Sequence, residues 1–301
     1  MWKTIAAALL AVCLCACANY KAVGEFGKQT GELTHTVRQE FGQIDELCLK
    51  QAELQVVVSN DRDELALKDC AAYRAAQGRL AEVTVDVLDG YAQALEALAE
   101  DQRFDFDQSL DNVAGKVQAL KDRGGKPLVD AGEVTALSKV VQVLVDVAAT
   151  RKRDAAVKRL VDETPSLKTT GNILRKYFAD ANTSSGVVKA PHTNIVAIID
   201  DWATSNQAAL DGKALRAAEP IRSYELVRQM RDSKTMLEAR RGSAPDSVQG
   251  KLVAAIDAWQ TALQTFSEEA LKPDPKELLD RLKDLRKKAK AARNAVAATG
   301  Q

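Results

Sequence analysis

Two histidines, His35 and His192, are the chain's whole supply of side chains whose ordinary pKa lies near neutrality. Neither has a second histidine, a cysteine or a close carboxylate pair at the spacing a zinc helix motif requires. His35 sits inside a helical stretch and His192 follows Pro191 at a helix start, so both read as surface or capping residues. Nucleophile motifs are missing too: there is no Gly-x-Ser-x-Gly turn and no phosphate-cradling glycine loop. The best carboxylate clusters are Asp200-Asp201 before Trp202 and the run Phe104-Asp105-Phe106-Asp107. Adjacent residues on a helix point about 100° apart, so Asp200 and Asp201 cannot face one substrate together. Caps or a solvated face account for them. These residues predict no catalytic centre, no metal and no cofactor.

Cysteine carries the remaining chemistry, and three of the five crowd the start of the chain as Cys13, Cys15 and Cys17. The segment opens on Met1-Trp2-Lys3, continues as an uncharged run from Thr4 to Leu14 and closes on small residues around Ala16-Cys17. That is the three-part layout of a secretory signal. Its apolar run is about a dozen residues, short of the roughly 20 that a membrane-crossing helix needs. Leu14-Cys15-Ala16-Cys17 resembles the lipobox of bacterial lipoproteins, with a branched aliphatic three residues before the cysteine and a small residue just before it. Cys13 and Cys15 follow the bulkier Val12 and Leu14 and do not fit.

The resemblance spans about seventeen residues and marks a processing class. It implies that residues 1–16 are a signal peptide, that the Cys17 thiol takes a diacylglyceryl group, and that the new amine is acylated, typically by a palmitate-like chain. Ala18, rather than Asp, follows the cysteine, which resembles the pattern released to the outer membrane. One acyl chain holds a protein only marginally, at ~0.8 kcal/mol per buried CH₂, whereas three would be effectively permanent. The expected location is therefore the periplasmic face of the outer membrane, with the membrane itself as first partner.

Without residues 1–16 the chain has 285 residues, with 41 basic against 42 acidic side chains. A near-neutral body lacks the electrostatic footprint of a nucleic-acid binder, so no nucleic-acid partner is expected. Aromatics are only 5% while the wider hydrophobic set reaches 46%, a balance suited to helices packed side by side. The predicted fold class is all-α: antiparallel hairpins forming a bundle of about eight helices.

Steps of three and four place Val23, Phe26, Thr30, Leu33, Val37, Phe41, Ile44 and Cys48 on one stripe. Cys70, Tyr73, Leu80, Thr84, Val87, Tyr91, Ala94 and Leu98 form a second. Between them Ser59-Asn60-Asp61 can turn the chain and cap the next helix, with Glu64 closing a capping box. Residues equally far from that turn would face each other, and residue 59 is the midpoint of Cys48 and Cys70. A disulfide between them would close a loop of about 22 residues, worth ~3 kcal/mol by chain entropy. The competing geometry, one unbroken helix through residues 23–98, would hold them ~33 Å apart and forbid the bond.

Helical pattern continues from Phe104 to Arg123 and stops at Gly124-Gly125-Lys126-Pro127. Residues 17–123 are thus expected as an N-terminal hairpin region. A central region, 128–241, holds a helix from Glu133 to Asp162 that is apolar around most of its girth and reads as the buried centre. A short helix from Thr164 to about Ala181, a loop, and a long helix from about Pro191 to Ala218 that Pro220 kinks or restarts through Arg241 follow. The last region, 246–301, pairs Val248, Leu252, Ile256, Trp259, Leu263 and Phe266 with Leu278, Leu282, Leu285, Ala289, Ala292 and Val296 as a second hairpin, setting Trp259 opposite the Ala289 region.

Lys276 to Arg293 carries eight basic and three acidic residues. A solvated face with cations favoured near a helix C-terminus explains it plainly, and contact with anionic lipid or cell-wall polymer is the sharper alternative. The chain is expected to be a non-enzymatic envelope lipoprotein that acts as a structural, adaptor or protein-binding component. An immunity or inhibitor lipoprotein against a periplasmic toxin or hydrolase is the alternative.

Overall fold

The computed structural model describes residues 20–44, 46, 49, 68, 70, 71, 75, 78–107, 110, 113–121, 125–179, 246–272 and 274–299. Helix α1 takes residues 20–44, and its stripe of Val23, Phe26, Leu33, Val37 and Ile44 is buried, as the periodicity requires. Burial continues round the helix through Gln29, Thr30, Thr34, Thr36 and Glu40. The hydroxyls of Thr30 and Thr36 survive there by donating to carbonyls one turn back, Phe26 at 2.8 Å and Glu32 at 2.8 Å.

Helix α2, Arg79–Ala99, runs antiparallel to α1 at very close range. A Cβ at Gly24 would lie 2.6 Å from that of Ala99, and one at Gly27 would lie 2.9 Å from the Ala92 carbonyl oxygen. Glycine is what lets the two backbones meet. Further along, Thr34 donates to Asp89 at 3.0 Å and Arg38 reaches Asp86 at 2.8 Å. These pairs centre on residue 61 or 62, slightly beyond the expected midpoint at 59. Residues 75 and 78 are π-helical.

The helix expected from Phe104 to Arg123 is only partly formed. Residues 102–107 are extended, with Phe104 buried between exposed neighbours, and α3 is confined to Val113–Gln118. Gly125, at φ 77, helps to turn the chain back so that the Leu128 N–H donates to the Leu120 carbonyl at 3.2 Å.

A capping box opens α4, Ala131–Ala149: the Asp130 carboxylate accepts the Glu133 N–H at 2.8 Å, and the Glu133 side chain accepts the Asp130 N–H at 3.0 Å. The single helix expected over Glu133–Asp162 is broken, because residues 150–152 leave the helical conformation and α5, Arg153–Asp162, starts afresh. Nor is this the buried centre. Helix α4 buries one face, Ala136, Leu137, Val140, Leu144 and Val147, while Val145 is exposed.

Helix α6, Thr164–Ala179, has Pro165 in its first turn, where a missing N–H does no harm. Helix α7, Val248–Glu269, is capped by Ser247, which accepts the Gly250 N–H at 2.9 Å. The chain then reverses into α8, Lys276–Thr299, and the Glu269 carboxylate accepts the Leu278 N–H at 3.0 Å. Both predicted seams of this hairpin are buried. A small residue set against Trp259 is Gly171 of α6, where a Cβ would lie 2.5 Å from the indole. Eight helices and no strand are thus found among the described residues, an all-α bundle. One buried cluster runs from Ala22 to Val296, so the three sequence regions share a core.

Candidate functional site

At the start of α1 three helices are fastened together around Tyr20. The Arg153 guanidinium lies over the Tyr20 ring at 3.3 Å from its centroid, and the Tyr20 hydroxyl donates to the Asp154 carboxylate beside it. Arg153 also donates to the Ala99 carbonyl at the end of α2 and pairs with Asp101 at 3.7 Å. A cation at a helix C-terminus satisfies an orphan carbonyl and opposes the helix dipole. Asp101 itself adopts φ 60, the left-handed turn that lets the chain leave α2. The break before Arg153 is what delivers this side chain to the corner.

Close by, the α1–α2 contact is rimmed with acids. Burial, reinforced by Glu100, pushes the Glu96 carboxyl above its ordinary range, with Lys28 opposing. Burial likewise raises Asp86, against its hydrogen bond and ion pair with Arg38. The Tyr91 phenol, deep in the core, is pushed upward by burial alone.

A polar groove of about 400 Å³ lies between the α4 capping box and Thr169–Lys176 of α6. Its charges are already matched: Lys176 pairs with Glu133, and Arg175 with Asp257 at 2.6 Å, a contact that raises the guanidinium's pKa further. The Gln260 amide donates to Asn172 at 2.8 Å. No histidine, cysteine or serine lines it.

His35 is exposed on α1, and Asp105 and Asp107 are exposed on the extended segment. His192, Asp200, Asp201, Cys17 and Cys48 lie outside the described residues. Cys70 is buried at 2% exposure and is disulfide-bonded, while no disulfide has both halves among the described residues. Among the described residues, His35, Cys70 and the Asp105–Asp107 run form no common site. The Tyr20–Arg153–Asp154 corner was not foreseen, because Arg151-Lys152-Arg153 reads as the charged stretch of one long helix.

Among the described residues no group of three or more His, Cys, Asp or Glu side chains could hold a metal ion, and no helix is long and apolar enough to cross a membrane. No family model, curated protein or solved structure matches the chain.

Proposed function

We propose that the chain is a non-enzymatic envelope lipoprotein, acylated at Cys17 and held at the periplasmic face of the outer membrane, where its helical body serves a protein partner as a structural or adaptor component. The observation that carries this reading is the fit between the lipobox and the start of the fold. Tyr20, helical and three residues beyond Cys17 in sequence, is locked to α2 and α5 through Arg153. An anchor at Cys17 would pass its position to the body with almost no linker. A disulfide between Cys70 and Cys48 belongs to the same reading, since the bond needs an oxidising compartment.

The test is processing and fractionation. Wild-type protein should sediment with membranes and accumulate as precursor under inhibition of the lipoprotein signal peptidase, and Cys17→Ser should block acylation. Normal maturation of Cys17→Ser, or indifference to the inhibitor, would overturn the anchor. Non-reducing peptide mass analysis should find Cys48 joined to Cys70. Cross-linking of the acylated protein in intact envelopes should give a stoichiometric protein adduct.

A further inference from the structure

We infer that one flank of α8, with Leu271 at its base, is a second membrane contact that lays the body against an anionic lipid surface beside its anchor. Phe26 stacks on Phe266 with centroids 4.6 Å apart, and the Trp259 N–H donates to the Thr30 hydroxyl at 3.0 Å. Helix α7 therefore runs antiparallel to α1, and the turn after it returns to the level of Tyr20. Three large hydrophobic residues are exposed among the described residues, and two are at this end: Leu271 at 49% and Leu279 at 38%. From here α8 runs parallel to α1, reaching it again where the Gln43 amide donates to the Val296 carbonyl at 3.2 Å.

Charge on α8 is sorted by side. At about 100° per residue, Lys276, Lys283, Arg286, Lys287, Lys290 and Arg293 fall within an arc of roughly 120°, together with Leu279 and no carboxylate. Glu277, Asp280 and Asp284 occupy the next sector, where Arg281 and Lys288 pair with Glu277 at 3.3 Å and Asp284 at 2.9 Å. Arg286, Lys287 and Lys290 are without an ion pair among the described residues. Lys276 and Lys283, the cations next to Leu279, pair with Asp274 at 3.0 Å and Asp280 at 2.7 Å, and the unpaired ones follow about two to three turns further along the same flank. A basic flank with leucines at one end matches the charged headgroups and shallow apolar layer of an anionic bilayer. The lipid anchor supplies only the expectation that a membrane lies at this end; the flank can be tested without it.

Residues 17–301 contain the whole described core, from Ala22 to Val296, and in the Cys17→Ser form carry no lipid. This chain should float with phosphatidylethanolamine vesicles containing phosphatidylglycerol, and not with neutral vesicles. Each cation near such a surface changes affinity by about fivefold, so Arg286→Gln, Lys287→Gln and Lys290→Gln together should weaken binding by on the order of 100-fold. Leu271→Ser with Leu279→Ser should weaken it further. Arg281→Gln with Lys288→Gln, on the acidic sector, should change it little; circular dichroism confirms that each variant is folded. Absence of binding to anionic vesicles, equal loss from both sets of cation substitutions, or binding to isolated peptidoglycan in place of vesicles would each overturn the inference. Failed flotation leaves the acylation result standing, and failed acylation leaves flotation interpretable.

Discussion

The α1–α2 and α7–α8 pairs are both antiparallel, and opposite residue types hold them. In the first, Gly24 and Gly27 remove side chains so that backbones meet, and Thr34–Asp89 and Arg38–Asp86 fix the register with polar bonds. In the second, the buried Leu278, Leu282, Leu285 and Ala289 of α8 and Leu252, Ile256 and Leu263 of α7 make an apolar seam, with the Glu269–Leu278 bond closing the turn. A glycine contact has no slack, because a methyl group meets backbone that cannot rotate away. A leucine seam can repack.

Trp259 joins the two arrangements, since it belongs to α7 but bonds to Thr30 of α1 and fills the space over Gly171. Trp259→Ala should therefore cost about 3 to 5 kcal/mol in denaturant unfolding; a loss below ~1 kcal/mol would mean the pairs stand independently. Gly27→Ala should come next, destabilising by about 1 to 3 kcal/mol because the new Cβ would sit 2.9 Å from both the Ala92 carbonyl oxygen and the Leu95 Cβ. The same substitution at Gly42, also on α1 but with nothing within 4 Å of the added atom, should stabilise by roughly 0.5 to 1 kcal/mol. Matching signs at the two positions would refute close packing as the cause. The smallest effect concerns Glu96 at the rim of the glycine contact. Its raised pKa means the folded chain holds a proton that the unfolded chain has released, so stability falls as pH rises from the ordinary carboxylate range through the folded value. Glu96→Gln should flatten that slope and raise the melting temperature slightly at neutral pH, as thermal scans across pH would record.

Periodicity reveals the leucine seam directly, because each of its contacts places a large apolar residue at a three- or four-residue step. It is blind to the other interface. Gly24, Gly27 and Gly31 lie off the apolar stripe of α1, and a pattern built on hydrophobic side chains gives no weight to their absence. The break after α4 was equally hidden: Thr150-Arg151-Lys152 contains neither glycine nor proline, and the helix yields there to the contacts Arg153 makes with Ala99 and Tyr20. Those partners are 54 and 133 residues away, a distance over which local spacing carries no information. Hence the terminal hairpin could be read in advance, while the break after α4 and the corner that fastens α1 could not.

The hydrogen bond from Trp259 to Thr30 spans 229 residues. At roughly 5 to 20 residues per second of synthesis, α1 waits on the order of 10 to 50 s before its partner on α7 exists. Throughout that interval Phe26 lacks the two aromatic rings it stacks against in the finished fold. The first helix made is thus among the last to be enclosed, and aggregation during biogenesis should be governed by how well that single segment is shielded until the final hairpin arrives.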